Sequence, residues 1–405
     1  MMRRIYGLIF VALMLNSCGI NSSNSNLVEV INPVENGDFV LKVEDTIVID
    51  ELYKLLWSIK IVTDENGVIN GFWAHDGPGL AVYKFDQNGS LLKTMVLPSI
   101  NEPNGINRIT DMKILNADSV FVFDAEFNKV VLFNEESIII NTWKISNYVP
   151  EISTERNTEI VDIYKNGSGN LIIDLTGYSN YYYSSDRDFY KKNTLLYQIN
   201  LESKEVRKGL SYPINSPYRK YLFWSGNIPY VRKLDSAYLA VFAHDEHLYF
   251  YGHDLEELSS YSTNPRNFPD AVGNEFGSKQ TMNYARIDRK INGYNQKIND
   301  VFKTKTGRNF SRIYSAPLGD NPDIPDDYLT FMKGDYRSKY YLQVFNLDDI
   351  RNGITKVYPD LEVGNLNIGS LLYIDFENRY YFLEQNTNKE ETRILVARIV
   401  RRSIQ

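Results

Sequence analysis

Short apolar runs, interrupted by Gly, Asn, Asp or Pro, recur from about residue 38 to the end of the chain. One set comprises "SVFVFD" (119–124), "KVVLFN" (129–134) and "SIIINTWKI" (137–145). A second comprises "YLAVFAHD" (238–245), "HLYFYG" (247–252) and "LSSYST" (258–263). A third is "YLTFMKG" (328–334), "KYYLQVFNL" (339–347) and "ITKVYP" (354–359), and a fourth is "SLLYIDF" (370–376), "RYYFLEQ" (379–385) and "TRILVARIV" (392–400). Looser sets span 79–97 and 170–210. Runs of this length, rich in β-branched and aromatic residues and bounded by turn formers, predict strands. Asn88-Gly89 suits a hairpin turn, because both residues tolerate positive φ. Helical periodicity is scarce, and its best short candidate lies near residues 279–291.

Both faces of these strands are apolar. In "SVFVFD", Val120 and Val122 point one way while Phe121 and Phe123 point the other. Such sheets must be covered on both sides, which an ordinary sandwich with one wet face does not do. The sets repeat about every 40 to 65 residues, the spacing of four-stranded propeller blades with variable loops. Six sets predict an all-β, six-bladed propeller over residues 38–405, with seven blades as the near alternative. Propellers close by pairing strands from opposite chain ends, so "DTIVID" (45–50) is expected to join "TRILVARIV". Two excursions break the rhythm, near 177–193 and 264–300, and long departures from a repeat are usually functional loops.

Composition sharpens this picture. The 30 Tyr and 20 Phe among 405 residues fit half-buried pleated surfaces. A formal charge of -7 disfavours nucleic-acid binding, which needs clustered positive charge. The short basic "RIVRRS" near the C-terminus reads as a solvated end.

The start of the chain is different in kind. Arg3 and Arg4 precede an apolar run from Tyr6 to Leu15, then small polar residues lead to Cys18, the single cysteine. The run is too short to span about 30 Å of hydrocarbon but fits a secretory signal peptide over residues 1–17. Leu15-Asn16-Ser17-Cys18 resembles a bacterial lipobox, whose cysteine is lipidated after cleavage. Acyl chains such as palmitate, at about 0.8 kcal/mol per buried methylene, would anchor the protein to a membrane. Residues 18–37 then form the lipidated cysteine and a flexible tether, polar through "GINSSNSN" (19–26). No acidic residue lies within 19–26. That pattern favours an outer-membrane anchor facing the periplasm over display at the cell surface.

The run "NEPNGINRITDMKILNADSVFVFDAEFNKVVLFNEESIIINTWKI" (101–145) resembles Bacteroidetes lipoproteins that carry a domain of unknown function. "IDFENRYYFLE" (374–384) is similar to the closing-blade pattern of the same class. The resemblance implies a six-bladed, TolB-like propeller and an envelope location, and brings no activity with it.

Candidate chemistry is dispersed. Three of the four histidines fall together, His244, His247 and His253, beside Asp245, Glu246 and Asp254. They could ligate a transition metal only if the chain folded back, since an extended strand separates 247 from 253 by about 20 Å. The simpler reading is histidines in wet hairpin turns, with no metal and no cofactor. His75, next to Trp73 in "GFWAHDGPG", could enter an axial pocket as a base or sit in a turn. Asp320, Asp323, Asp326 and Asp327 offer oxygen ligands without calcium-loop spacing and read as a solvated loop. "YSNYYYSSDRDFY" (178–190) gathers Tyr181, Tyr182, Tyr183, Arg187 and Tyr190. Rings with a polar rim are the chemistry of glycan or peptide docking, although such rings also fold back to cover a blade edge.

Nucleophile-elbow, zinc-protease, phosphate-loop and dinucleotide motifs are absent, and Ser168 in "NGSGN" lies in a polar turn. The sequence therefore predicts a membrane-anchored, non-catalytic propeller that binds a glycan, peptide or partner protein. The alternative is a hydrolase or lyase with its site in the axial channel.

Overall fold

The computed structural model describes residues 39–49, 56, 58–76, 79–116, 118–153, 158–179, 187–223, 226–235, 237–276, 292–317, 339–347, 354–363, 368–384 and 391–402. Its strands form six blades. Blade 1 contains Ser58–Thr63, Ile69–His75, Ala81–Phe85 and Leu91–Val96. Blade 2 contains Asp111–Asn116, Ser119–Asp124, Lys129–Phe133 and Ile139–Lys144. Blade 3 is Ile160–Lys165, Leu171–Thr176, Leu196–Asn200 and Val206–Gly209, and blade 4 is Tyr230–Lys233, Tyr238–Val241, Leu248–Tyr251 and Glu257–Tyr261. Blade 5 is built on Tyr294–Ile298, Gly307–Ser315, Tyr340–Asn346 and Thr355–Lys356, with Phe302–Thr304 and Leu361–Glu362 as short additions.

Blade 6 closes the ring. Its first three strands, Ile368–Ile374, Tyr380–Glu384 and Thr392–Arg401, come from the end of the chain, and its outer strand, Phe39–Ile49, comes from the other end. The pairing runs from Phe39↔Arg401 to Ile49↔Thr392, with one bulge between Val43 and Asp45. The closing strand therefore begins earlier than "DTIVID" suggests, because the largely apolar run Phe39 to Val43 also pairs with the end of Thr392–Arg401 and packs Leu41 into the core with Ile313 and Leu342 of blade 5. The count is six, and the seven-bladed alternative falls.

The two apolar faces of each strand explain the ring. Val120 and Val122 pack with Trp73 and Val82 of blade 1, while Phe121 and Phe123 pack with Ile163 and Ile173 of blade 3. Each such side chain, fully buried, contributes about 1.5–3 kcal/mol. Hairpins inside the blades share one turn chemistry. The Oδ1 atoms of Asp64, Asp86, Asn134 and Asn166 each accept from the amides two and four residues on. The residue between those amides takes positive φ, +78° at Gly67, +90° at Gly89 and +61° at Ser137. Gly89 alone of the predicted Asn-Gly pair adopts that conformation, and a Cβ there would meet the Val48 carbonyl oxygen at 2.2 Å.

Cys18, Tyr181 to Tyr183, the 279–291 segment, "YLTFMKG" and the aspartates of 320–327 lie outside the described residues.

Candidate functional site

Antiparallel order sorts the connections onto two faces. Links from second to third strands, and from one blade to the next, lie on one face; the turns joining first to second and third to fourth strands lie on the other. The described parts of the two excursions that precede or follow strands on this side, 177–179, 187–193 and 264–276, therefore share a face with His75, His244 and His247. The stretch to 300 instead ends in the first strand of blade 5, Tyr294–Ile298, with Asp300 beyond it on the other face. His253 sits in the turn 252–256, at the far end of the strand Leu248–Tyr251.

That separation decides the histidine cluster. His244 is buried, stacked on Phe223 with ring centroids 4.6 Å apart. His247 is held by Asp245 at 2.7 Å, which raises its pKa although burial alone would lower it. His253 lies edge-on to Tyr238, on the opposite face. Among the described residues no group of three or more His, Cys, Asp or Glu is arranged to hold a metal.

The first excursion folds back on the ring. Its end forms a helix, Arg187–Lys192, which the sequence reading did not foresee; Asp188 and Lys192, 2.8 Å apart, were its available signal. Arg187 is exposed. Tyr190, a candidate docking ring, is instead fully buried, its hydroxyl donating to the Phe223 carbonyl and to Asn227 Oδ1, each at 3.1 Å. Tyr212, Tyr218 and Phe276 pack around it with centroids 5.0 to 5.8 Å away. Tyr190 is an anchor for the insertion, because a buried phenol is retained where its hydroxyl finds a partner.

Trp73 and His75 are buried as well. Trp73 belongs to the core between blades 1 and 2, with Lys84 Nζ 5.5 Å from its ring centre. His75 is 0% exposed, and among the described residues neither ring nitrogen has a hydrogen-bond partner. Burial, only partly offset by Asp111, lowers its pKa to about 4, so the ring is neutral at pH 7. Neutral imidazole can serve as a base, but this one faces no solvent.

The axis carries an ion network that sequence reading missed. Lys60 of blade 1 meets Asp111 of blade 2 at 3.3 Å, and Asp111 accepts the Ile160 amide of blade 3 at 2.9 Å. Lys113 meets Asp162 at 3.6 Å, and Asp162 meets Lys233 of blade 4 at 3.3 Å. Arg232 bridges Glu159 at 2.8 Å and Asp300 at 3.1 Å, and donates to the Ile298 carbonyl of blade 5 at 2.8 Å. The signal was present: Lys60, Lys113, Asp162 and Arg232 each occupy the third position of a first strand. A single charge inside an apolar run is hard to separate from an outward-facing one without the ring. Each of these cations faces a carboxylate, so the network ties blades 1 to 5 together.

A model of a domain of unknown function, DUF4221, matches residues 35–315. The chain belongs to the DUF4221 family. A DUF4221 member from Bacteroides vulgatus, whose crystal structure is known, superposes with a TM-score of 0.65 at 14% identity, covering 91% of this chain and 100% of that one. A candidate exported protein from Bacteroides fragilis superposes with a TM-score of 0.50 at 11% identity, covering 93% of this chain and 100% of that one. Among curated proteins nothing matches. These likenesses fix the family and the propeller fold.

Two clefts of this DUF4221 propeller lie on the face of the short turns. One, of about 680 Å³, opens between blades 1 and 2 and is lined by Lys60, Trp73, Lys113 and Asp300. Its neighbour, of about 470 Å³, opens between blades 6 and 1 beside Asp375 and Arg379.

Proposed function

We propose that this DUF4221 chain is an exported propeller, anchored through a lipid on Cys18, that binds an envelope ligand on its insert-bearing face without catalysing a reaction. The observation that carries the reading is that the described parts of both excursions, 177–179, 187–193 and 264–276, lie on one face of the ring. Recognition residues are disproportionately found on loops held by such scaffolds. The anchoring of the first excursion by Tyr190 leaves its exposed residues, Arg187 among them, presented from a fixed base. Tyr181, Tyr182 and Tyr183 are its docking rings in this reading, and the ligand is a glycan, a peptide or an envelope protein. The likeness to a candidate exported protein from Bacteroides fragilis supports the envelope location. A hydrolase or lyase in the axial channel has less support, because the axial cations are ion-paired and His75 is sealed.

Two readouts test this. Cys18→Ala is expected to move the protein from the membrane fraction to the soluble periplasmic fraction, and persistence in the membrane rejects the anchor. On arrays of envelope glycans and peptides, alanine at Tyr181, Tyr182, Tyr183 and Arg187 together is expected to lower retention at least about tenfold, equivalent to about 1.4 kcal/mol. Unchanged retention on every retained probe rejects the docking surface.

A further inference from the structure

We infer that the face opposite the insertions rests on the bilayer, through exposed apolar residues clustered around blade 1. The two clefts on that face flank blade 1, and each carries large exposed apolar side chains. Val68 and Phe376 line the cleft between blades 6 and 1 and are 58% and 45% exposed. Leu92 and Leu115 line the cleft between blades 1 and 2 and are 59% and 44% exposed. Val68 and Phe376 sit in turns 64–68 and 375–379, whose backbones meet neighbouring blades through Tyr373 Oη on the Gly67 carbonyl and the Lys305 amide on the Phe376 carbonyl, while both side chains stay exposed. Exposed apolar side chains occur on the other face too, Val96, Ile214 and Val272 among them, but these line neither cleft; the four here gather around two adjoining clefts, which marks a contact surface.

The chain end selects the occupant. Arg398 of the closing strand donates to the Glu377 carbonyl in turn 375–379, and the strand pair then runs on to Phe39↔Arg401. The segment that leads to Cys18 therefore leaves the ring on the turn-bearing face. Phe39 is 21 positions from Cys18 (39 minus 18), a reach of at most about 75 Å. An anchor at that distance holds this face near the lipid at high effective concentration, where weak apolar contacts suffice. The charges beside the patch are mixed, Arg379 and Lys84 against Asp375, Glu377 and Glu135, so zwitterionic and anionic lipids both fit. The arrangement turns the insertions away from the membrane.

This inference rests on the anchoring at Cys18 proposed above, and its test keeps the two apart. Cys18 is the single thiol, so the chain from residue 18 onward can be coupled chemically to a maleimide lipid. It is then placed on vesicles of equimolar phosphatidylethanolamine and phosphatidylglycerol, whatever the cell does to that cysteine. Hydrogen exchange, compared with the free chain, is expected to slow at least about threefold in turns 64–68 and 375–379 and around Leu92 and Leu115, with no change across 210–223. Serine at Val68, Leu92, Leu115 and Phe376 together should abolish the protection while leaving the unfolding midpoint within a few degrees, since all four are exposed. Equal exchange on and off the vesicle, or equal slowing on both faces, overturns the inference without touching the anchor.

Discussion

Arg312→Ala is expected to cost the domain about 3–5 kcal/mol of stability. Arg312 lies in the strand Gly307–Ser315 of blade 5 with no solvent exposure. Its Nε donates to Gln343 Oε1 at 3.0 Å, Nη1 donates to the Glu246 carbonyl at 2.8 Å, and Nη2 donates to Thr263 Oγ1. Glu246 and Thr263 belong to links of blade 4, so one planar fork reaches across to that blade at two points while holding Gln343 of its own blade. Burial lowers the guanidinium pKa to about 10, with Tyr314 and Asp360 opposing the shift, and the group stays charged at pH 7. Alanine would leave Gln343 Oε1 without its guanidinium donor, take from the Glu246 carbonyl one of its two donors (the other is Thr263 Oγ1, at 2.7 Å), and open a cavity beside Tyr314, whose ring centre lies 5.5 Å from the guanidinium carbon. Lysine keeps the charge but not the fork, and should recover less than half of the loss. Urea unfolding of the three proteins measures this directly; a loss under about 1 kcal/mol for the alanine variant would contradict the role given to Arg312.

Acidification between about pH 6.5 and pH 4 is expected to remove about 3 kcal/mol through His75 alone. The sign follows from where the protons bind. The unfolded imidazole protonates near its ordinary 6.5, while the folded ring resists until about 4 because burial penalises its charge. Within that window the unfolded state holds more protons, so stability falls as pH falls. His247 acts elsewhere: its raised pKa gives stability present below 6.5 and lost as pH rises through the folded value. Burial raises the carboxyls of Asp174 and Glu257, which gives an acid-side slope of opposite sign. The comparison with His75→Gln isolates the effect, since that variant lacks the titration and keeps the other groups. The stability difference between the two proteins should shrink or reverse in favour of the glutamine variant on acidification. A difference that stays constant across the window would mean that His75 is solvated or partnered.

The fold was legible because its main determinant is local. Alternating side chains that are apolar on both faces, as in Val120 to Phe123, can only be buried between two neighbours, and the spacing of the sets then gave the ring. The closing strand was legible for the same reason, although its extension through Phe39 to Glu44 was not. The site was less legible. Tyr190 read as a docking ring because nothing near it in sequence reveals the Phe223 carbonyl and Asn227 that receive its hydroxyl. His247 and His253 looked close because turns at opposite ends of a short strand are adjacent in sequence. The axial ion pairs join residues roughly 50 to 70 positions apart, such as Lys60 with Asp111 and Arg232 with Glu159, and only the ring brings them together.

The assignment of the two faces depends on the chain ends pairing in blade 6. Val48 and Arg393 are paired positions on that seam, both at least partly exposed. In a Cys18→Ala background, cysteines at these two positions would be the only thiols. Mild oxidation is expected to join them in nearly every molecule, seen as a faster-migrating non-reduced band and a higher melting temperature, as paired strand positions permit. If both thiols stay free in the folded, oxidised protein, the ring is not closed by these strands, and the opposition between an insert-bearing face and a membrane face loses its basis.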